Sequence, residues 1–307
     1  MAATTSLSQE KHNTIQNHLA ELKDSFEKML SQKMGTLKPK NELTLACAYA
    51  TSSGGKRWRP LLVLLIGKAA SLQKYNQCEK SLQEAAMAVE MFHTASLIAD
   101  DLPSMDDDDM RRGQMSTHKK FGEAVAIMAS YALISEGYTA LYRAASFATD
   151  AGIEDAQIRG LLAVESVAHN AGVQGATGGQ FLDLNESKMS QEELLTVHRQ
   201  KTASIFEISM VLGYLFGNGE MSHLPQVREL ATLFGTSFQL IDDLEDFKKD
   251  AGQEEVNFAK VFGVELTQKK ALNMLDEAQD KLRSLQIDSE EILFMFEVLK
   301  RKAMQTK

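Results

Sequence analysis

Residues 90–113 read EMFHTASLIADDLPSMDDDDMRRG. Apolar and small residues at 92, 95, 96 and 99 recur at i, i+3, i+4 and i+7, which places them on one face of a helix. Pro103 disfavours helical backbone at Leu102, so the spacing predicts a helix over 80–101 that ends on Asp100 and Asp101. Six aspartates then fall within residues 100–109, and Arg111 and Arg112 follow at once. An apolar helix that delivers paired carboxylates at its tip is the unit from which the fold is read.

The same periodicity predicts helices over 8–35, 42–52, 60–72, 121–147, 154–171, 190–216, 225–247 and 265–303. No convincing alternating strand is present, and only four prolines interrupt 307 residues. The fold expected is all-α, one domain spanning 1–307 as a helical bundle around a central active-site cavity. The longest aliphatic run, LLVLLI at 61–66, is far short of the ~20 residues of a membrane span. No signal peptide is recognisable, and Cys47 and Cys78 match no metal spacing, so a cytoplasmic location is expected. With a net charge of −9, nucleic acid is not an expected partner.

A second acidic stretch, FQLIDDLED (238–246), sets Asp242 and Asp246 four residues apart on one helix face, beside Phe238 and Leu240. Like charges at that spacing repel. Two such clusters in apolar helices call for cations, and an all-oxygen ligand set suits Mg²⁺. A calcium-loop reading of 106–117 fails for want of the turn glycine and the terminal glutamate. The basic stretch GGKRWRP (54–60) combines exposed backbone N–H groups with Lys56, Arg57 and Arg59, an anion-binding composition that is not a Walker motif. HRQKTASIFE (198–207) places His198 and Lys201 on one helix face, and GATGGQFLDL (175–184) supplies small residues where two backbones can approach closely. His93 lies seven residues before Asp100 on the same side of its helix. No nucleophile–base pair stands out. Carboxylate clusters plus basic groups in a helical shell suit a substrate with a phosphate head and an apolar tail.

From about residue 40 onward the chain resembles the trans-isoprenyl diphosphate synthases of the farnesyl and geranylgeranyl type. The matching stretches, in order, are GGKRWRP, EMFHTASLIADDLPSMDDDDMRRG, GGQFLDL, HRQKTAS and FQLIDDLED. Residues 1–39 form an N-terminal helix outside that match. The resemblance implies the isoprenoid synthase fold, a homodimer, and a prenyl transfer that condenses isopentenyl diphosphate with dimethylallyl, geranyl or farnesyl diphosphate. It implies Mg²⁺, with Mn²⁺ as a substitute, on Asp100, Asp101 and Asp106 from one side and Asp242 from the other, Asp246 completing the second motif. Arg111, Lys201 and Gln239 would contact the allylic diphosphate, and Thr202 would help stabilise the allylic cation. Gly55, Lys56, Arg59, His93 and Arg112 would hold isopentenyl diphosphate without metal.

Departures from the family pattern are Ala99 where histidine is frequent, Ser130–Tyr131 in place of Gly-Asp, and a shortened segment 247–263 in which Lys248 and Lys260 are candidate phosphate ligands. Small Ala95 and Ser96 leave room below the aspartates, and Phe92 lies about one turn (~5 Å) deeper as a candidate floor. Tyr131 is an alternative block. The product expected is geranylgeranyl diphosphate. A farnesyl-length product is the alternative, and a terpene synthase or a non-catalytic subunit are remoter ones.

Overall fold

The computed structural model describes residues 2–71, 74–185, 189–249 and 257–305. The described residues form fourteen α-helices, a π turn, a 3₁₀ turn and a hairpin of two two-residue strands, as an all-α reading requires. Contacts divide the chain into two compact units, one formed by Met1–Leu61 and Gln83–Arg143, the other by Leu62–Leu82 and Ala144–Lys307.

The first unit holds α1 (Ala2–Gly35), α2 (Glu42–Thr51), most of α4 (Tyr75–Asp100), the hairpin of β1 (Met110–Arg111) and β2 (Gln114–Met115), α5 (Thr117–Phe121) and most of α6 (Glu123–Asp150). α2 opens with a capping box in which Asn41 and Thr44 exchange side-chain and backbone hydrogen bonds. α6 buries Ala126, Ala129, Ser130, Leu133, Gly137 and Ala140 at helical spacing, and α4 approaches it at Ser130, whose hydroxyl donates to the Ala95 carbonyl, and at Gly137, where a Cβ would strike Phe92. Its other face exposes Met128, Tyr131 and Tyr142. By length and composition alone α6 would be able to cross a membrane, although the longest unbroken aliphatic run lies elsewhere. The hairpin pairs Met110 with Met115 and Arg111 with Gln114, too short for any alternation to show in sequence.

The second unit contains the rest of α3 (Trp58–Ala70), α7 (Ala156–Ala171), α8 (Ala176–Asn185), α9 (Gln191–His198), α10 (Ser204–Phe216), α11 (Leu224–Lys249), α12 (Phe258–Phe262), α13 (Val264–Ser284) and α14 (Glu290–Met304). α10 is apolar nearly all round and buries every residue except Glu207, as expected of a central helix. Phe206 packs on Phe234 and Phe238 of α11, and Phe234 on Phe296 of α14, with ring centroids 5.0–5.3 Å apart. Two expectations change here. The helix predicted over 265–303 is two helices, because Gln286 takes a left-handed φ of 56° and Ser289 caps α14. The helix predicted over 190–216 contains a π turn at Arg199–Ala203.

Candidate active site

In the first unit, α4 ends at Asp100 and the chain folds back so that the Asp106 N–H donates to the Asp100 carbonyl at 2.9 Å. The two predicted ligands are thereby brought to one loop, Asp100 half-buried and Asp106 exposed. Asp101 is only 2 % exposed, and its Oδ1 accepts from Arg111 Nε at 2.7 Å and from Arg111 Nη2. Burial pushes the Asp101 carboxyl upward, and Arg111 opposes that shift. Arg111 also reaches Asp108 at 2.6 Å, so the hairpin is tied to the end of α4 by one guanidinium. Asp107, Asp109 and His118 bring a further three ligand-type atoms within 4.8 Å of one another, a grouping not singled out in sequence because His118 lies across the hairpin.

About two turns below the aspartates, with His93 seven residues before Asp100 on α4, sits a cationic group. His93 is buried, with Nε2 3.3 Å from Arg59 Nη1 and 3.5 Å from Arg112 Nη2. Burial first, then Arg59, Arg112, Arg57 and Arg111, lowers the His93 pKa well below its ordinary value. Its ring is therefore neutral at pH 7, with a lone pair facing the arginines. Arg112 donates to the Gly54 carbonyl at 2.5 Å, and a Cβ on Gly55 would lie 2.7 Å from its Nη1. Gly55 (φ 117°) is thus a space for the arginine as well as a turn residue. Arg59, His93, Arg112 and Gly55 converge, and Lys56 is exposed on the same loop.

Arg57 behaves differently. It is buried against Glu90, reaches Glu27 at 3.2 Å, and donates to the Thr51 carbonyl at 2.6 Å. Glu90, missed in the sequence reading, anchors the basic loop from α4. A lone carboxylate on an otherwise apolar helix face is the signal that would have found it, since a buried charge demands a partner.

In the second unit the π turn positions the chemistry. A Cβ on Gly179 of α8 would lie 2.3 Å from the Lys201 nitrogen, so α8 and the π turn approach backbone to backbone, as the small residues of GATGGQFLDL anticipate. Lys201 pairs with Asp183 at 2.5 Å. Thr202 Oγ1 donates to Gln239 Oε1 at 2.7 Å, and Gln239 Nε2 donates to Asp243 Oδ1 at 3.0 Å. Asp243 Oδ2 accepts from the Phe258 N–H at 2.8 Å and lies 3.4 Å from His198 Nε2. His198 thus contacts Asp243 while Lys201 pairs with Asp183, and the charges of both Asp183 and Lys201 act on the His198 ring. Burial lowers the His198 pKa and raises that of Asp243. Asp242 is half-buried and Asp246 exposed on α11. Asp183 and Asp243 were not singled out in sequence. The motifs around them gave the signal, but their partners come from helices far along the chain.

For chain length, Ala95 is buried and its carbonyl accepts from Ser130 at 2.9 Å. Ser96 donates to the His93 carbonyl. Phe92 is 5 % exposed. Tyr131 is 68 % exposed on the outer face of α6 and does not face α4, which removes it as an inner block. Lys260 lies in α12, and the side chain of Lys248 lies outside the described residues.

The Polyprenyl synthetase family model matches residues 40–285. Geranylgeranyl pyrophosphate synthase 4 of Arabidopsis thaliana is 34% identical over 281 residues, covering 86% of this chain and 72% of that protein. Farnesyl diphosphate synthase of Bacillus subtilis is 33% identical over 276 residues, covering 88% of each. The Helicobacter pylori geranyltransferase, solved with magnesium and isoprenyl diphosphate, superposes with a TM-score of 0.77 over 94% of this chain and 97% of that one, at 23% identity. With these relatives, the all-α chain is a prenyltransferase of the short-chain class. The chain belongs to the polyprenyl synthetase family.

Proposed function

We propose that the chain condenses isopentenyl diphosphate with the allylic diphosphates dimethylallyl, geranyl and farnesyl diphosphate, ending at geranylgeranyl diphosphate. The observation that carries the assignment is the Arg59–His93–Arg112 group about two turns of α4 from the Asp100–Asp106 loop. A metal-free anion site beside a carboxylate site is what two different diphosphates require. A terpene synthase, with one diphosphate to bind, has no use for the first.

In this reading Asp100, Asp106, the second oxygen of Asp101, and Asp242 hold Mg²⁺, for which Mn²⁺ substitutes. Hard carboxylate oxygens fit that ion, and bound there it would offset the charge of the departing diphosphate. Lys201, Arg111 and Gln239 bind the allylic diphosphate through charge-assisted and amide hydrogen bonds. Arg59, Arg112, Lys56 and the Gly55 backbone bind isopentenyl diphosphate, and neutral His93 orients the two arginines by accepting from them. The Thr202 hydroxyl presents its oxygen dipole to the allylic cation. The departing diphosphate takes the final proton, so no side-chain base is required. The tail runs down α4 past Ala95 and Ser96 towards Phe92. The two units act as one catalytic domain in the cytoplasm, and two copies of the chain pair through the apolar outer face of α6.

The test is incubation of purified protein with Mg²⁺, isopentenyl diphosphate and each allylic diphosphate, with products separated by length. A twenty-carbon product is expected, and excess EDTA should abolish turnover. Absence of any condensation product would refute prenyl transfer, and full turnover in EDTA would refute the metal. A fifteen-carbon end product would favour the second reading, a farnesyl diphosphate synthase, to which the Bacillus subtilis relative lends weight.

A further inference from the structure

We propose that Gly137 and Tyr138 of α6 are positioning residues that set product length by bracing the Phe92 ring. The proposal rests on the reading of Phe92 as the tunnel floor. A Cβ on Gly137 would lie 2.8 Å from both Cε1 and Cζ of Phe92, closer than real contacts allow. The ring therefore rests on bare backbone. Tyr138, the next residue, meets the same ring edge-on, with centroids 5.2 Å apart and planes at 73°. Phe92 is thus held between a surface it can press against and an edge that stops it turning. In a close-packed interior a single methyl has nowhere to go without displacing a neighbour. A methyl on Gly137 drives the ring off α6 or takes the same room itself. Both outcomes narrow the space below Ala95 and Ser96. Neither residue touches the reacting atoms, so the effect falls on product length and leaves the rate of condensation near wild type.

The experiment measures the ratio of twenty- to fifteen-carbon products for wild type, Gly137→Ala, Phe92→Ala and the double variant. Each is supplied with isopentenyl and geranyl diphosphate, and folding is checked by circular dichroism. Gly137→Ala should lower the ratio by about tenfold, the scale of a one-methyl overpacking. Phe92→Ala should lengthen the products. In the Phe92→Ala background the Gly137 substitution should change the ratio by less than about twofold, because no ring remains to push. A general structural defect would act equally in both backgrounds, and that result would overturn the proposal. So would an unchanged ratio in folded Gly137→Ala while Phe92→Ala lengthens. If Phe92→Ala itself leaves product length unchanged, the floor reading fails and the brace falls with it. If no variant condenses anything, the activity reading is what fails. Should Gly137→Ala not fold, Tyr138→Leu decides: loss of the edge contact should lengthen the products, and an unchanged distribution overturns the proposal.

Discussion

The two aspartate clusters differ in how they are mounted. Asp100 and Asp106 belong to a helix end and a loop, and the neighbouring acids are held by hairpin and surface cations, Asp101 and Asp108 by Arg111 and Asp109 by Lys119 at 2.6 Å. Asp242 lies within the 26-residue α11, beside an Asp243 that is 5 % exposed and bonded to three elements. In each pair the first aspartate is half-buried and the second is buried and held by protein. The second aspartate is an anchor in both, but its partner is a charge in one cluster and a set of neutral donors and an imidazole in the other.

The largest effects should come from removing a first aspartate or a cation of the Arg59–His93–Arg112 group. Asp242→Ala should lower kcat by ~10–150-fold, the loss of one charge-assisted interaction of ~1.5–3 kcal/mol, with the isopentenyl diphosphate KM little changed. Arg59→Ala should do the reverse and raise that KM over a similar range while kcat changes less. Steady-state kinetics with each substrate varied separates the two. A KM effect from Asp242→Ala alone, or an unchanged KM in Arg59→Ala, would break the division into a metal site and a metal-free site.

Second aspartates should show the mounting difference in stability. Asp243→Ala strands the Phe258 N–H, the Gln239 amide and His198, at about 1–3 kcal/mol for each buried donor left unpaired. Asp101→Ala leaves Arg111, whose side chain is 30 % exposed, with Asp108 and with solvent, so no buried donor is stranded. Thermal melts should therefore show a larger drop in Tm for Asp243→Ala, at ~2–4 °C per kcal/mol. Equal drops would mean that the Arg111 clamp holds the hairpin as firmly as the α11 network holds α12.

This asymmetry also explains what the sequence made legible. Periodicity revealed α4, α6 and α11 because each buries a stripe, and the glycines at 178 and 179 announced a close approach that the π turn supplies. The π turn itself was hidden, because RQKTA carries no local signal for i→i+5 bonding and the packing of Gly179 on Lys201 enforces it. α8 was overlooked since Gly178 and Gly179 argue against a helix by propensity, and tertiary packing outweighs that preference. Asp100, Asp106, Arg59 and His93 were singled out from their motifs, and the structure sets the first two on one loop and the last two side by side. Glu90, Asp183 and Asp243 were not, because a buried acid is identified by a partner that lies elsewhere in the chain.

The smallest expected effect compares the two buried histidines. His93 and His198 both have folded pKa values below the ordinary 6.5, chiefly through burial. The unfolded chain therefore binds protons that the folded chain refuses. The stability this represents is fully present above about pH 6.5 and is lost as pH falls towards the folded values. For His93 four arginines add to burial, so its loss should continue steadily, at ~1.4 kcal/mol for each pH unit below 6.5. For His198 the Asp243 carboxylate pulls the other way, and its share should level off sooner. Buried Asp101, Asp243 and Glu90 have raised pKa values and act in the opposite sense, regaining stability as pH falls through their folded values, so across the window from pH 7.5 to 5.5 the imidazole share is read from the difference in slope between wild type and each histidine variant. Tm should fall across that window in the wild type. His93→Gln, whose amide oxygen can still accept from Arg59 and Arg112, should flatten the slope, and His198→Gln should flatten it less. An unchanged slope in His93→Gln would show that its ring takes up a proton on folding as readily as in the unfolded chain, and the neutral acceptor assigned to the isopentenyl diphosphate site would have to be abandoned.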